Sequence, residues 1–74
     1  MHAKILIIGA CGQIGTELTK QLRKQYGTDA VIASDVRKGS PEFVNSGPFE
    51  VVNALDFNQI ETIVEQYNIE EVYL

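Results

Sequence analysis

Apolar residues fall along this chain in two rhythms, a continuous one and a helical one, and these alternate. From Ala3 to Ile8 they run almost without interruption, through Ile5-Leu6-Ile7-Ile8, as expected of a strand buried on both faces of a parallel sheet. From about Gln13 to Tyr26 they recur at helical spacing, with Ile14, Leu18 and Leu22 on one stripe and Gly27 placed to stop the helix. Ala30-Val31-Ile32-Ala33-Ser34 reads as a second short buried strand, closed by Asp35, and Glu50 to Asn53 as a third. A second helix is predicted from Phe57 or Asn58 to Tyr67, with Ile60, Ile63, Val64 and Tyr67 as its stripe. Two overlapping capping patterns precede it, Asp56 to Gln59 and Asn58 to Glu61. Glu71-Val72-Tyr73-Leu74 begins a fourth strand.

Between Arg37 and Pro48 stand Gly39, Ser40, Pro41, Asn45, Ser46, Gly47 and Pro48. That density of breakers rules out a regular helix and predicts a crossover made of loop. Right-handed crossovers then give an incomplete doubly wound α/β domain, a partial Rossmann fold with parallel strands in spatial order 3-2-1-4. The helix starting near Gln13 covers one face and the helix starting near Asn58 the other. A ligand cleft is expected at the carboxyl ends of strands one and four, with Ile69 to Leu74 as one wall. Stopping inside a strand leaves an apolar edge unpaired. Residues 1–74 are therefore expected to be the N-terminal portion of a Rossmann domain, truncated after the fourth strand begins, with any substrate domain elsewhere in a longer polypeptide.

The chemistry concentrates in Gly9-Ala10-Cys11-Gly12-Gln13-Ile14-Gly15, between the first strand and the first helix. A helix beginning here aims its first N–H groups and the positive end of its dipole past the strand, where an anion such as a pyrophosphate fits. Gly9 allows the turn off the strand, Gly12 lets a phosphate approach the backbone, and Gly15 lets the helix pack close against the sheet. The backbone of Gln13 and Ile14 would supply the donors.

Asp35 lies 20 residues after Gly15, the distance at which a dinucleotide-binding unit places a carboxylate for the adenosine ribose hydroxyls. Taken alone it reads as a strand-end turn residue; taken with the glycine turn it favours the functional role. Its charge would repel a 2′-phosphate, so NAD is preferred to NADP, with Arg37 and Lys38 read as a solvated loop. Asp56 serves as a helix cap, and could also accept a hydrogen bond from the adenine amino group with Leu55 packed near the base.

Composition narrows the partners. The net charge is −4 and the pI about 4.7, without the basic stripe of a nucleic-acid binder; Lys20, Arg23 and Lys24 read as a solvated face and last-turn charges. No apolar run approaches the roughly 20 residues of a membrane span. Met1 to Lys4 lead directly into the first strand, so a cytoplasmic location is expected. At 74 residues the chain is about half a typical domain, and a chain this short buries only roughly 60% of its unfolded surface. Cys11 reads as a small residue fitting a tight loop rather than a thiol activated by the helix end, and His2 as a solvated terminal side chain.

The segments at 5 to 18, 31 to 35 and 46 to 56 resemble the opening of the short-chain-type, NAD-dependent L-threonine 3-dehydrogenases. The G-x-x-G-x-x-G spacing is shared with extended, epimerase-like short-chain dehydrogenases in general. The Ala-Cys-Gly-Gln-Ile core and Gly-Pro-Phe-Glu-Val stretch are more particular to the threonine enzymes. The resemblance implies oxidation of L-threonine to 2-amino-3-ketobutyrate with hydride passing to NAD, in an intact enzyme that is a homodimer. It also implies a Tyr-x-x-x-Lys pair as general base and its helper. Tyr26 is followed four residues on by Ala30 and Tyr67 by Glu71, so no catalytic residue is assigned in these 74. What carries over is Gly9, Gly12, Gln13, Ile14 and Gly15 at the pyrophosphate, Asp35 at the ribose, and Leu55 and Asp56 at the adenine. A sugar-nucleotide epimerase of the same family, or a non-catalytic nucleotide-binding module, are the alternatives.

Overall fold

Leu6, Ile8 and Ile32 face one side of a central sheet while Ile5, Ile7, Val31 and Ala33 face the other, and both sides are covered. The computed structural model describes residues 4–74; His2 and the predicted strand start at Ala3 lie outside them. Strands β1 (Lys4–Ile8), β2 (Val31–Asp35), β3 (Phe49–Val51) and β4 (Ile69–Tyr73) form one sheet in the order β3-β2-β1-β4. Every pairing is parallel, with Ile5 opposite Val31, Ala33 opposite Phe49 and Ile5 opposite Glu71. Burial on both faces is why the strand sequences run apolar without alternation. The predicted order is the observed one.

Helix α1 (Gln13–Tyr26) and the single turn α2 (Pro41–Val44) cover one face, and α3 (Phe57–Tyr67) covers the other. Gly27, at φ 101°, ends α1 and donates its N–H to the Arg23 carbonyl. Asp56 caps α3 by accepting the Gln59 N–H at 3.2 Å. Of the two capping patterns in the sequence it is this one that forms. Asn68, in the left-handed conformation at φ 57°, ends α3 and turns the chain into β4.

The structure corrects three expectations. The second crossover contains one helical turn, α2, because Pro41 occupies the first helical position, where its missing N–H is no loss, and Ser40 caps it by accepting the Phe43 N–H at 3.2 Å. That turn buries Phe43 edge-on to Phe49, with ring centroids 6.1 Å apart. The third strand starts one residue earlier than predicted and ends at Val51, although Val52 is buried and donates its N–H to the Asp35 carbonyl at 2.9 Å.

The third correction concerns α1. Ile14 is 84% exposed, and the buried line is Thr19, Leu22 and Arg23, with Leu18 packed at its margin. Close contact at Gly15 sets the rotation of the helix, and residues at +4 and +7 from it face the sheet. Arg23, read from the sequence as solvated, is 8% exposed. Its Nε and Nη2 donate to the Val31 carbonyl at 3.2 and 3.1 Å, Nη2 to the Pro48 carbonyl at 2.7 Å, and Nη1 to Ser46 Oγ at 3.0 Å. Burial lowers its pKa, with Asp29 opposing the shift. A guanidinium fork is the side chain that can hold three acceptors at once. It ties α1 to the start of β2 and to the loop entering β3.

Candidate functional site

The chain leaves β1 at Gly9, whose φ of 82° requires a residue without a Cβ. The amides that follow divide into two groups. Gly9 and Ala10 donate to the Ser34 carbonyl at 2.9 and 2.8 Å, and Cys11 donates to Asp35 Oδ2 at 2.9 Å. These three fasten the turn to the end of β2. Beyond Gly12 the first-turn amides of α1 have no such partner: no side chain caps this helix and no acidic residue stands in its first turn. The other two helices are both capped by side chains, Ser40 and Asp56. Among the α-helices of the described residues, the 14-residue helix aimed past β1 alone keeps its dipole end free of a side-chain cap, and that is the condition for holding an anion.

A cleft of about 500 Å³ opens at this end, lined in part by Gly9, Gly12, Gln13, Ile14 and Gly15. Of the stretch predicted to wall it, Ile69 to Leu74, Leu74 lines the cleft.

The glycines do different work. A Cβ on Gly15 would lie 2.5 Å from the Gly9 carbonyl oxygen and 2.9 Å from Ala10 Cα, both rigid backbone atoms. The close approach at this glycine, predicted to be against the sheet, is instead between the helix and the turn that follows β1. Gly15→Ala is expected to force the helix off the turn and cost about 1–3 kcal/mol of stability, read as a lower thermal midpoint; an unchanged midpoint would show that the contact relaxes freely. Gly12 is another matter. Its Cβ would meet nothing nearer than the Gly9 oxygen at 3.8 Å, and its φ of −69° suits any residue. Packing therefore does not exclude a side chain at 12, where glycine stands as the N-cap of α1.

Asp35 ends β2 half-buried, its Oδ1 accepting the Val36 N–H at 2.7 Å and its Oδ2 the Cys11 N–H. The structure thus joins the glycine turn and Asp35 directly. Two lone-pair positions on the carboxylate remain for other donors. Arg37 and Lys38 are exposed. The Cys11 thiol donates to the Arg37 carbonyl at 3.6 Å, and burial, then Asp35, push its pKa up. A raised pKa suppresses thiolate, in keeping with a packing role.

Leu55 and Asp56 sit apart from the glycine turn. They line a separate open hollow with Asn53, Phe57 and Asn58, which shares no residue with the cleft. Asp56 Oδ1 caps α3 and Leu55 is 83% exposed. Asn53 Oδ1 accepts the Leu55 N–H at 2.9 Å and so shapes this turn.

Three contributors escaped the sequence reading. Thr16 Oγ1 donates to the Ala10 carbonyl at 3.0 Å, bracing the turn from the helix side. Ser34, fully buried, donates its Oγ to the Ile7 carbonyl at 2.8 Å while its own carbonyl receives two turn amides. A hydroxyl inside an otherwise apolar strand was the available signal. Phe57, exposed beside Leu55, was visible only as a helix start. Among the described residues no cluster of three or more His, Cys, Asp or Glu is placed to hold a metal, and no helix is long and apolar enough to cross a membrane.

Comparison with known proteins places these features in context. The model of the NAD dependent epimerase/dehydratase family matches residues 5–74. An uncharacterized epimerase/dehydratase from Staphylococcus epidermidis is 47% identical over 66 residues, covering 88% of this chain and 21% of that protein. Among solved structures, an L-threonine dehydrogenase from Clostridium difficile superimposes with a TM-score of 0.88 at 43% identity, over 95% of this chain and 22% of its own. A partial-consensus L-threonine 3-dehydrogenase superimposes with a TM-score of 0.90 at 51% identity, over 96% and 22%. The chain spans about a fifth of the length of these relatives.

Proposed function

The chain belongs to the NAD dependent epimerase/dehydratase family, and from that premise we propose that it is the NAD-binding portion of an L-threonine 3-dehydrogenase. The observation that carries the binding role is the open N-terminus of α1 beside Gly12, whose Cβ position faces no packed side chain. The diphosphate is held by the Gln13 and Ile14 amides against Gly12, the turn being formed by Gly9 and closed by Gly15. Asp35 accepts from the adenosine ribose hydroxyls, and Leu55 and Asp56 border the adenine. When bound, NAD would accept the hydride from the hydroxyl-bearing carbon of threonine as a base takes the hydroxyl proton, giving 2-amino-3-ketobutyrate, NADH and a proton. No Tyr-x-x-x-Lys pair lies within the 74 residues, so their part is to bind and orient the cofactor, and alone they are inactive. The intact enzyme is a cytoplasmic homodimer in this reading.

The substrate assignment rests on the likeness to threonine dehydrogenases at 43 and 51% identity. The second reading, a sugar-nucleotide enzyme of the same family, is supported by the likeness to a UDP-glucose 4-epimerase from Brucella ovis, at 26% identity and a TM-score of 0.77. Assaying the full-length polypeptide with L-threonine and with nucleotide sugars separates the two, NADH formation from threonine alone being the expected result.

Titration of NAD into isotopically labelled protein tests the binding role. The largest amide shifts are expected at Gly12 to Gly15 and near Asp35; shifts confined to other surfaces would refute it. Asp35→Ala is expected to weaken NAD about tenfold, since hydrogen bonds to a charged acceptor are lost, and to narrow the preference over NADP by removing repulsion of the 2′-phosphate. Tighter binding of NADP than NAD by the unmodified protein would reverse the assignment.

A further inference from the structure

Three successive amides of the glycine turn donate to the end of β2, and the third differs in kind. Gly9 and Ala10 reach a main-chain carbonyl, that of Ser34, which any residue would provide. Cys11 reaches a side chain, Asp35 Oδ2 at 2.9 Å. The parallel pairing of β1 with β2 runs as far as Ile8 opposite Ser34. Past that point the carboxylate supplies the acceptor that the strand backbone does not, and it does so one residue before Gly12. Its second oxygen is fixed by the Val36 N–H at 2.7 Å, so the acceptor is held in place from both sides.

We propose that Asp35 is a positioning residue for the diphosphate half of the site as well as a ligand for the ribose. Its bond to the Cys11 amide sets the turn so that the Gln13 and Ile14 amides converge on the diphosphate. The proposal rests on the dinucleotide reading above. A carboxylate offers about four lone-pair positions and two are occupied by amides. Ribose hydroxyls take the other two without displacing Cys11. The adenosine end and the diphosphate end of the site are thereby coupled through one side chain, and loss of the acceptor weakens even a ligand that has no ribose.

Removing a negative charge near a bound anion acts in the opposite direction, so the test compares two variants of equal charge. Asp35→Asn keeps an oxygen able to accept from Cys11; Asp35→Ala keeps none. Both retain the backbone pairing of position 35 with Val51 and the bond from the Val52 N–H, and thermal unfolding verifies that they fold. Inorganic pyrophosphate is the probe, titrated against the Gln13 and Ile14 amide resonances, with NAD in parallel. The asparagine variant is expected to bind pyrophosphate about fivefold more tightly than the alanine variant, as one neutral hydrogen bond would give, and to show slower exchange of the Cys11 amide. Equal pyrophosphate affinities, with NAD weakened in both, confine Asp35 to the ribose and overturn the proposal. If neither pyrophosphate nor NAD moves the Gln13 and Ile14 amides of the unmodified protein, the dinucleotide reading falls and the proposal with it.

Discussion

Gly12→Val is expected to abolish dinucleotide binding while leaving the protein folded. The two halves of that expectation come from different observations. A Cβ at this position finds its nearest neighbour, the Gly9 oxygen, at 3.8 Å, and the backbone there is extended and accessible to any residue. Valine at a helix start in place of glycine costs about 1 kcal/mol or less, so circular dichroism should show the helices retained. In the cleft the added side chain occupies space beside the Gln13 and Ile14 amides. Preventing two hydrogen bonds to a charged diphosphate, each contributing about 1.5 kcal/mol or more, lowers affinity about 100-fold or beyond. Calorimetry with NADH reads the loss. Unchanged affinity would remove the diphosphate from this turn.

Arg23→Ala is expected to have the largest effect on stability. The guanidinium is buried and bridges the Val31 and Pro48 carbonyls and Ser46 Oγ. Its truncation leaves those acceptors short of donors, at about 1–3 kcal/mol for each group left unsatisfied, and opens a void against Gly47, where a Cβ would already lie 2.6 Å from Arg23 Cζ. A chain of 74 residues has a total stability of about 4–11 kcal/mol, so a loss of about 2–4 kcal/mol lowers the thermal midpoint by about 10 °C or more. Lysine should not rescue, because an ammonium cannot present the planar fork. Were the side chain solvated, the change would stay within about 0.5 kcal/mol. Denaturant melts of the unmodified, alanine and lysine proteins distinguish the two.

Arg23 also shows where a linear reading stops. Periodicity in α1 determines which residues share a face, but the rotation that turns a face inward depends on what the helix meets. Here Gly15 meets the backbone of Gly9 and Ala10, and that contact turns Ile14 outward and Arg23 inward. Hydropathy places Leu18 and Leu22 correctly and reverses only Ile14 and Arg23, because a charged side chain is ordinarily outside and an isoleucine ordinarily inside. The one-turn α2 was hidden for a related reason: Ser40, Pro41 and Gly39 are breakers when counted, yet Ser-Pro in that order is also a helix start.

By itself, the sequence determined the strand order and the two-layer cover, since uninterrupted apolar runs demand burial on both faces and right-handed crossovers leave few topologies. It also determined the glycine turn, the Asp56 cap and the position of Asp35 at a strand end, all of which depend on neighbours within a few residues. Tertiary structure alone decided that Asp35 holds the Cys11 amide, 24 positions away, that Gly15 and not Gly12 is required by packing, and that Arg23 is a buried tie between layers. Those facts depend on groups brought together across the sheet, and the spacing of residues along a chain carries no record of which atoms will meet.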